Sequence, residues 1–376
     1  MSSDVVVGSR VAVVGGGVVG LSVAWLAAAS GLAVVVVDPS PARGGASWVA
    51  GGMLAPVTEA WPGEEAVLGL GLDSLARWPD FAARLRADSG VDPGLDLAGT
   101  LVVAADGADA EVLRVLADYL AGLGREVRAL TGRELRRLEP GIGPSVRSGL
   151  EVPGDLAVDN RALLTALLAA CERRGVRFDR RSAAEVGPGR VSTTDGSTVD
   201  CDAVVVSAGA WSGSLHPALA DAIRPVKGEI LRLRARRGAL PPPTRTVRAL
   251  VESRPVYLVP RPGGLVLGAT QYEAGFDGDV TVGGVRDLLR DAERVLPGVA
   301  EYALDEVVAG FRAGSPDNLP LVGEVEPGVL VAAGHHRNGL LLAPVTAEAV
   351  LAALRGDAPP ESARVADPAR LSAVAR

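Results

Sequence analysis

Residues 10–38 read RVAVVGGGVVGLSVAWLAAASGLAVVVVD. Val11 to Val14 is a short apolar run of the kind that fills a buried strand, and Gly15 to Gly17 then supply a tight turn. Val18 to Ser30 fits a helix, and Leu32 to Val37 a second strand ending at Asp38. From Val11 to Val37 there are 27 residues without a charge, long enough for a hydropathy window to suggest a membrane span or a signal sequence. Gly15, Gly16, Gly17, Gly20 and Gly31 interrupt the run where strand, turn and helix change direction, so the stretch reads as a buried β-α-β unit. Within it, Gly15-x-Gly17-x-x-Gly20 lies between strand and helix, and Asp38 follows 18 residues after Gly20. Gly15 permits the turn, Gly17 leaves room for a pyrophosphate against the backbone, and Gly20 lets helix and strand pack closely. The helix N-terminus at Val18 and Val19 offers unpaired N–H groups and positive potential to the phosphates. Asp38 is placed to accept both ribose hydroxyls and to repel a 2′-phosphate, which favours FAD or NAD over NADP without separating the first two.

The chain has 376 residues, enough for two modest domains, and 48% apolar content excludes a disordered polymer. Its 38 Lys and Arg against 45 Asp and Glu leave a net charge of -7. That balance carries no basic footprint for nucleic acid or an acidic membrane, so an acidic small substrate needs a local cationic pocket. Two cysteines, Cys171 and Cys201, stand in no CxxC pair, which argues against a disulfide scaffold or thiolate zinc site and suits a reducing cytoplasm. His335 and His336 are adjacent in a loop with no nearby acidic or cysteine cluster, a poor pair of metal ligands, and no metal is expected.

Outward from the opening unit, Pro39 to Val49 is expected as loop, with helices over Leu68–Ser89, Asp109–Leu123 and Asn160–Arg174. Strands are expected at Leu101–Ala104, Val176–Phe178 and Ala203–Ser207, with a hairpin about Asp195-Gly196. A strand-rich block follows: Ile230–Leu233, Thr246–Leu250, Val256–Val259, Leu265–Leu267 and Leu304–Arg312, interrupted by a helix over Val285–Leu296. Val329–Ala333 is a further strand, Gly334 to Gly339 a loop, and Pro344–Leu354 a helix; beyond Gly356 the text reads as a polar tail with one short helical patch.

An ordered set of motifs then resembles a known group. Gly15-Gly16-Gly17-x-x-Gly20, Ala50-Gly51-Gly52-Met53-Leu54 and Ser207-Ala208-Gly209-Ala210-Trp211-Ser212 lead it. Pro225-Val226-Lys227-Gly228-Glu229, Tyr257-Leu258-Val259-Pro260-Arg261 and Gly268-Ala269-Thr270 continue it, and Gly310-Phe311-Arg312 with Gly334-His335-His336-Arg337-Asn338-Gly339-Leu340 close it. Together, over about residues 10 to 356, they resemble the FAD-dependent D-amino acid oxidases, closest to the glycine oxidases of thiamine biosynthesis. The resemblance implies an α/β fold: a Rossmann-like FAD-binding domain assembled from residues 10–60, 145–225 and 305–356, an antiparallel-sheet α+β substrate domain from 61–144 and 226–304, and a tail from 357 to 376. It implies oxidation of an amino acid's CH–NH2 group with O2 as acceptor, giving an imine and hydrogen peroxide. Glycine is the expected substrate, with small D-amino acids or sarcosine as alternatives and a hand-off of the imine to a thiazole synthase as a possible partnership. A homo-oligomer in the cytoplasm is expected.

By the same resemblance Arg312 is the carboxylate clamp, Tyr257 a second carboxylate ligand through its hydroxyl, and Arg337 the active-site loop arginine. Around FAD it implies Gly15, Gly17, Val18, Val19, Gly20 and Asp38, then Gly44, Ser47, Ala50, Gly51 and Met53 over the pyrophosphate and beside the flavin. Gly209 and Trp211 return the chain to the adenosine side, with Trp211 expected to be buried against the cofactor domain. His335, His336, Arg337, Asn338, Gly339 and Leu340 present the closing loop to the flavin, His336 as packing or pocket wall. Two departures from the group's pattern stand near this site: Pro255 in place of a histidine and Gln271 in place of a methionine. Neither cysteine lies in a motif for covalent flavin attachment, so FAD is expected to be bound noncovalently. The purified protein should accordingly be yellow and release intact FAD on acid or heat precipitation; flavin retained in the denatured pellet would contradict the noncovalent reading.

Overall fold

The structure, a computed structural model, describes residues 8–374. Among these, six strands form a sheet in the order Leu321–Glu326, Val329–Ala333, Ala203–Val206, Arg10–Val14, Ala33–Val37, Arg177–Asp179. All neighbours run parallel except Leu321–Glu326, which returns antiparallel against Val329–Ala333. Side chains alternate across a strand, and here both faces are covered, which is why the strands read as unbroken apolar runs. Val11, Val13, Val34, Val36, Ala203 and Val205 pack with Trp25, Leu163, Leu167 and Val350 on the helical face. Ala12, Val14, Val37, Val204 and Val206 pack with Val186, Val191, Leu215 and Leu219 on the other. The helix Val18–Ala29 is buried along almost its whole length, between the sheet and the helices Asn160–Arg173 and Ala343–Leu354. It can be apolar on every side because no side of it faces water.

Eight strands form the second sheet, in the order Ala303–Gly314, Arg224–Arg234, Gly264–Gly268, Arg254–Arg261, Thr246–Val251, Thr100–Ala104, Ser148–Val152, Arg128–Thr131. It is antiparallel apart from one parallel pair, Thr246–Val251 with Thr100–Ala104. One face is closed by Leu288, Ala292 and Val295 of the helix Val282–Val295 and by Leu135, packed on Leu231, Val256, Leu258 and Leu267. The alternate residues Ile230, Tyr257, Val259 and Val266 look the other way, toward Val49, Met53 and Ala157. A small sheet of Met53–Leu54, Leu156–Val158 and Leu95–Asp96 lies at that joint.

Several expected boundaries move. Residues 306–314 pair along Arg224–Arg232 in the eight-stranded sheet, and Ser148–Val152 pairs there with Thr100–Ala104. The helix Glu65–Ser89, expected with the substrate domain, places Trp78, Phe81 and Leu85 in the core around Trp25. Its chain position separates it from the parallel strands, but apolar area is the stronger term and the helix follows it. Residues 46–49, expected as loop, form the short helix Ala46–Val49. The tail forms Glu361–Ala366 and Ala369–Val374, with Ala363 and Ala366 buried in the core and Ser362 hydrogen-bonded to Asp73. Among the described residues no helix is long and apolar enough to cross a membrane.

A Cβ at Gly20 would lie 1.9 Å from the Gly15 carbonyl oxygen and 2.6 Å from Ser207 Oγ. Gly20→Ala should therefore destabilise the fold by about 2 kcal/mol or more. Gly107→Ala, at the start of the helix Gly107–Gly122 with nothing within 4 Å of its Cβ position, should be neutral. Thermal melts of the two variants test this; equal melting temperatures would remove the close approach as a constraint.

Candidate active site

A cleft of about 470 Å³ opens where Arg10–Val14 and Ala33–Val37 end. Its floor is backbone. Gly15 has φ +106° and donates its N–H to Val37 O at 3.0 Å, and a Cβ there would stand 2.4 Å from Ser207 O. Ser207 Oγ in turn donates to Val14 O at 3.0 Å. Gly17, Val18 and Val19 line the cleft, and a Cβ on Gly17 would close on Ser47 Oγ at 3.2 Å. Gly20 lies behind them, packed on Gly15. Asp38 stands in the same wall, its two oxygens accepting from Gly16 N and Ser40 N, both at 2.7 Å. Each oxygen retains a further lone-pair direction for a hydroxyl donor.

Gly44 and Ser47 cover the cleft, and Ser47 Oγ accepts from Val18 N at 3.0 Å, which joins this loop to the helix N-terminus. Gly209 and Trp211 line the far wall. Trp211 differs from expectation: it is 43% exposed, stacked on Phe276 at 5.3 Å and edge-on to Phe311 at 5.9 Å. Its contacts come from the eight-stranded sheet and its loops, which the local Ala-Gly-Ala-Trp pattern does not report. The shape and chemistry fit FAD: a glycine cradle that any Cβ would fill, helix N–H groups beside it, and a carboxylate at the ribose end.

A second cleft of about 350 Å³ meets the first at Ala46, Ser47, His336 and Gly339. Ala50, Gly51, Met53, Arg337, Asn338 and Leu340 line it, so the two expected loops face each other across one space. The eight-stranded sheet supplies its floor. Tyr257 is wedged between glycines, since a Cβ on Gly51 would lie 2.6 Å from its ring and one on Gly268 2.4 Å from its hydroxyl. Burial pushes this phenol up to about 12, so it stays a proton-bearing donor at neutral pH. Arg312 lies over Gly228, where a Cβ would come within 2.4 Å of Nη1. Its Nη1 donates to Thr270 O at 3.2 Å and Lys227 O at 3.5 Å. Those carbonyls orient the fork without cancelling its charge, and among the described residues no carboxylate lies within ion-pair distance of Arg312.

Arg337 is different. Its Nε is 2.8 Å from Glu59 Oε2 and its Nη2 3.4 Å from Glu64 Oε2. Glu59 also approaches Arg248 Nη1 at 3.4 Å, and Arg248 donates to Thr58 O at 2.6 Å. The structure thus brings Arg337 to the pocket already paired, while Arg312 arrives open. Pro255 and Gln271 line the rim and are exposed. Glu59, Arg248 and the buried Asp155 that receives Val57 N and Thr58 N at 3.1 and 2.9 Å went unread in the sequence, because isolated charges carry no spacing signal. Asp155 is pushed up to about 6 by burial, against the pull of its Thr58 and Val57 hydrogen bonds. Among the described residues no group of three potential metal ligands converges.

His335 and His336 point to different surroundings. His335 is buried, with Nε2 3.0 Å from Thr346 Oγ1, and burial pushes its pKa down to about 4. His336 reaches both clefts, its Nδ1 buried without a hydrogen-bond partner, and burial together with Arg337 and Arg312 also holds it down to about 4. Both rings are neutral at physiological pH.

The FAD dependent oxidoreductase family model, DAO, matches residues 10–353. The glycine oxidase of Geobacillus kaustophilus is 33% identical over 349 residues, covering 89% of this chain and 90% of that one. The bifunctional protein ThiO/ThiG of Trichormus variabilis is 30% identical over 345 residues, covering 90% of this chain and 51% of the larger protein. Among solved structures, glycine oxidase from G. kaustophilus superimposes with a TM-score of 0.87 at 31% identity, over 96% of this chain and 98% of that one.

The buried His335 has a pH consequence. Its folded pKa of about 4 lies below the ordinary 6.5, so the unfolded chain takes up the proton first as pH falls. The neutral ring's contribution is intact above 6.5 and is lost toward 4, by about 2 kcal/mol between pH 7 and pH 5. Asp155 works in the opposite sense, so the test is a difference: urea stability of wild type minus His335→Asn should shrink by that amount over the interval. A pH-independent difference would mean that His335 titrates in the fold as it does in the unfolded chain.

Proposed function

The chain belongs to the family of FAD-dependent oxidoreductases, and we propose that within it the protein is a glycine oxidase, converting glycine, O2 and H2O to glyoxylate, NH3 and H2O2. The observation that carries this reading is the open cation, Arg312, set on the pocket floor beside Gly228, Gly310 and Tyr257. Arg312 receives the substrate carboxylate bidentately, and the Tyr257 hydroxyl donates to the same group. With the carboxylate held, the α-carbon is restricted to one presentation, which turns binding into orientation. FAD, when bound, supplies the electron acceptor for the α C–H and passes the electrons to O2.

Charge in the pocket supports a monocarboxylate. Arg248, Arg312 and Arg337 face Glu59 and Glu64, leaving one positive charge for the substrate to meet. The amine reacts as the neutral form, and the neutral His336 beside Arg312 adds no further charge against it. Gly15, Gly17, Val18, Val19 and Asp38 hold the pyrophosphate and ribose, with Gly20 packed behind them on Gly15, and Gly44, Ser47 and Gly209 close over them. The parallel sheet serves the cofactor and the eight-stranded sheet the substrate. A hand-off of the imine to a thiazole synthase is consistent with relatives named ThiO/ThiG. We further place the protein in the cytoplasm as a homo-oligomer with noncovalent FAD. Oxidation of small D-amino acids or sarcosine is a second reading, favoured by Pro255 and Gln271 at the rim, where a polar contact changes discrimination more than a methylene does.

Anaerobic flavin bleaching with glycine, sarcosine and D-alanine separates these substrates, glycine being expected fastest. Arg312→Lys keeps the charge but loses the fork, so the substrate dissociation constant should rise roughly tenfold or more and flavin reduction should slow. Arg312→Ala should be worse on both, by about 2 to 5 kcal/mol in total, with FAD content near wild type. Wild-type binding and reduction by Arg312→Ala would move the clamp elsewhere, and Arg337 would be examined next.

A further inference from the structure

Arg261 ends the strand that carries Tyr257 and projects from the same face, yet it does not line the pocket. It is nearly buried, at 10% side-chain exposure, with Asp159 Oδ2 3.7 Å from its Nε. That Nε has no hydrogen-bond partner, and burial pulls the guanidinium pKa down against the help of Asp159. A Met or Leu would fill such a joint without this desolvation. What only the guanidinium does is bind backbone: Nη2 donates to Gly51 O at 2.6 Å and to Val158 O at 3.1 Å, and Nη1 to Pro260 O at 2.7 Å.

These contacts set one peptide plane. Val158 N donates to Gly52 O at 2.8 Å, so the Gly51–Gly52 backbone is gripped from behind at two successive carbonyls. In a trans peptide the C=O and the following N–H point in opposite directions. With Gly51 O turned onto Arg261, the Gly52 N–H is turned away from it. Among the described residues neither Gly51 N nor Gly52 N finds an acceptor, and both residues line the second cleft. No side chain can intervene at Gly52, which has φ +92° and whose Cβ would lie 2.1 Å from Val158 O and 2.4 Å from Arg261 Nη2.

We propose that Arg261 is a positioning residue: by holding the Gly51 carbonyl it aims the Gly52 N–H into the cleft as a fixed donor to the ring edge of bound FAD. The inference rests on the FAD dependence of the family and is independent of which amine is oxidised. A preorganised donor is more effective toward an acceptor that gains electron density than toward the neutral ring, so its loss disfavours reduction.

The test compares Arg261→Met, Arg261→Lys and Glu139→Gln as FAD-loaded proteins. Glu139 is buried under Thr244 and Arg245, away from both clefts, and serves as a control for general destabilisation. FAD dissociation constant, visible flavin spectrum and midpoint potential are measured without substrate. Arg261→Met should bind FAD roughly five- to tenfold more weakly, as expected for one lost hydrogen bond, with a shifted visible band and a more negative potential. Arg261→Lys should recover part of each, and Glu139→Gln should lower thermal stability while leaving spectrum and potential unchanged. A wild-type spectrum and potential in fully loaded Arg261→Met would overturn the proposal, as would equal shifts in Glu139→Gln. Should the Met variant fail to fold, the Lys variant decides: smaller shifts in the same direction support the role, and wild-type values exclude it.

Discussion

Backbone meets backbone at the end of the first strand, where Gly20 of the helix sits against the carbonyl of Gly15 with space for no side chain between them. That approach sets the angle at which Val18–Ala29 leaves the sheet, and so the direction in which its N-terminus faces the cleft. Ser207, arriving from a strand almost two hundred residues later, hydrogen-bonds to Val14 and Gly15 and closes the same turn. Asp38 then ties back to Gly16. Three stretches of the chain, around Gly15 to Gly20, Asp38 and Ser207, share one turn, and a Cβ at Gly15 or Gly20 would press on Ser207.

Across the second cleft the organising quantity is charge. Three arginines around one pocket would repel each other and any ammonium substrate if all were open. Glu59 spans Arg248 and Arg337, Glu64 adds to Arg337, and only Arg312 remains with carbonyl partners. The loop that delivers Glu59 is itself fastened by Asp155, whose two oxygens take Val57 N and Thr58 N. A buried carboxyl thereby fastens the backbone next to Glu59 while standing outside the pocket lining.

Strand parity links this pocket to its supports. Tyr257, Val259 and Arg261 share one face of their strand, while Val256 and Leu258 fill the core beneath. On the neighbouring long strands Gly228, Ile230, Gly310 and Arg312 turn to that same side. One row of alternate positions therefore carries Arg312, the Tyr257 phenol, the glycines that make room for both, and the arginine that grips the facing loop.

The sequence by itself determined the opening β-α-β unit, the roles of its glycines and the position of Asp38, because those features are local: apolar runs, turn residues and spacing lie within 29 residues. The motifs also located Arg312, Tyr257 and the closing loop, and the family model covers the same span. Tertiary structure alone decided that Arg337 is neutralised and Arg312 is open, since ion pairing depends on where Glu59 and Glu64 come to rest rather than on any interval in the chain. It also decided that the helix Glu65–Ser89 and the tail residues Ala363 and Ala366 join the first core, and that Trp211 stands half exposed. Burial is a sum over contacts from remote segments, whereas a strand or a turn is written in neighbouring residues.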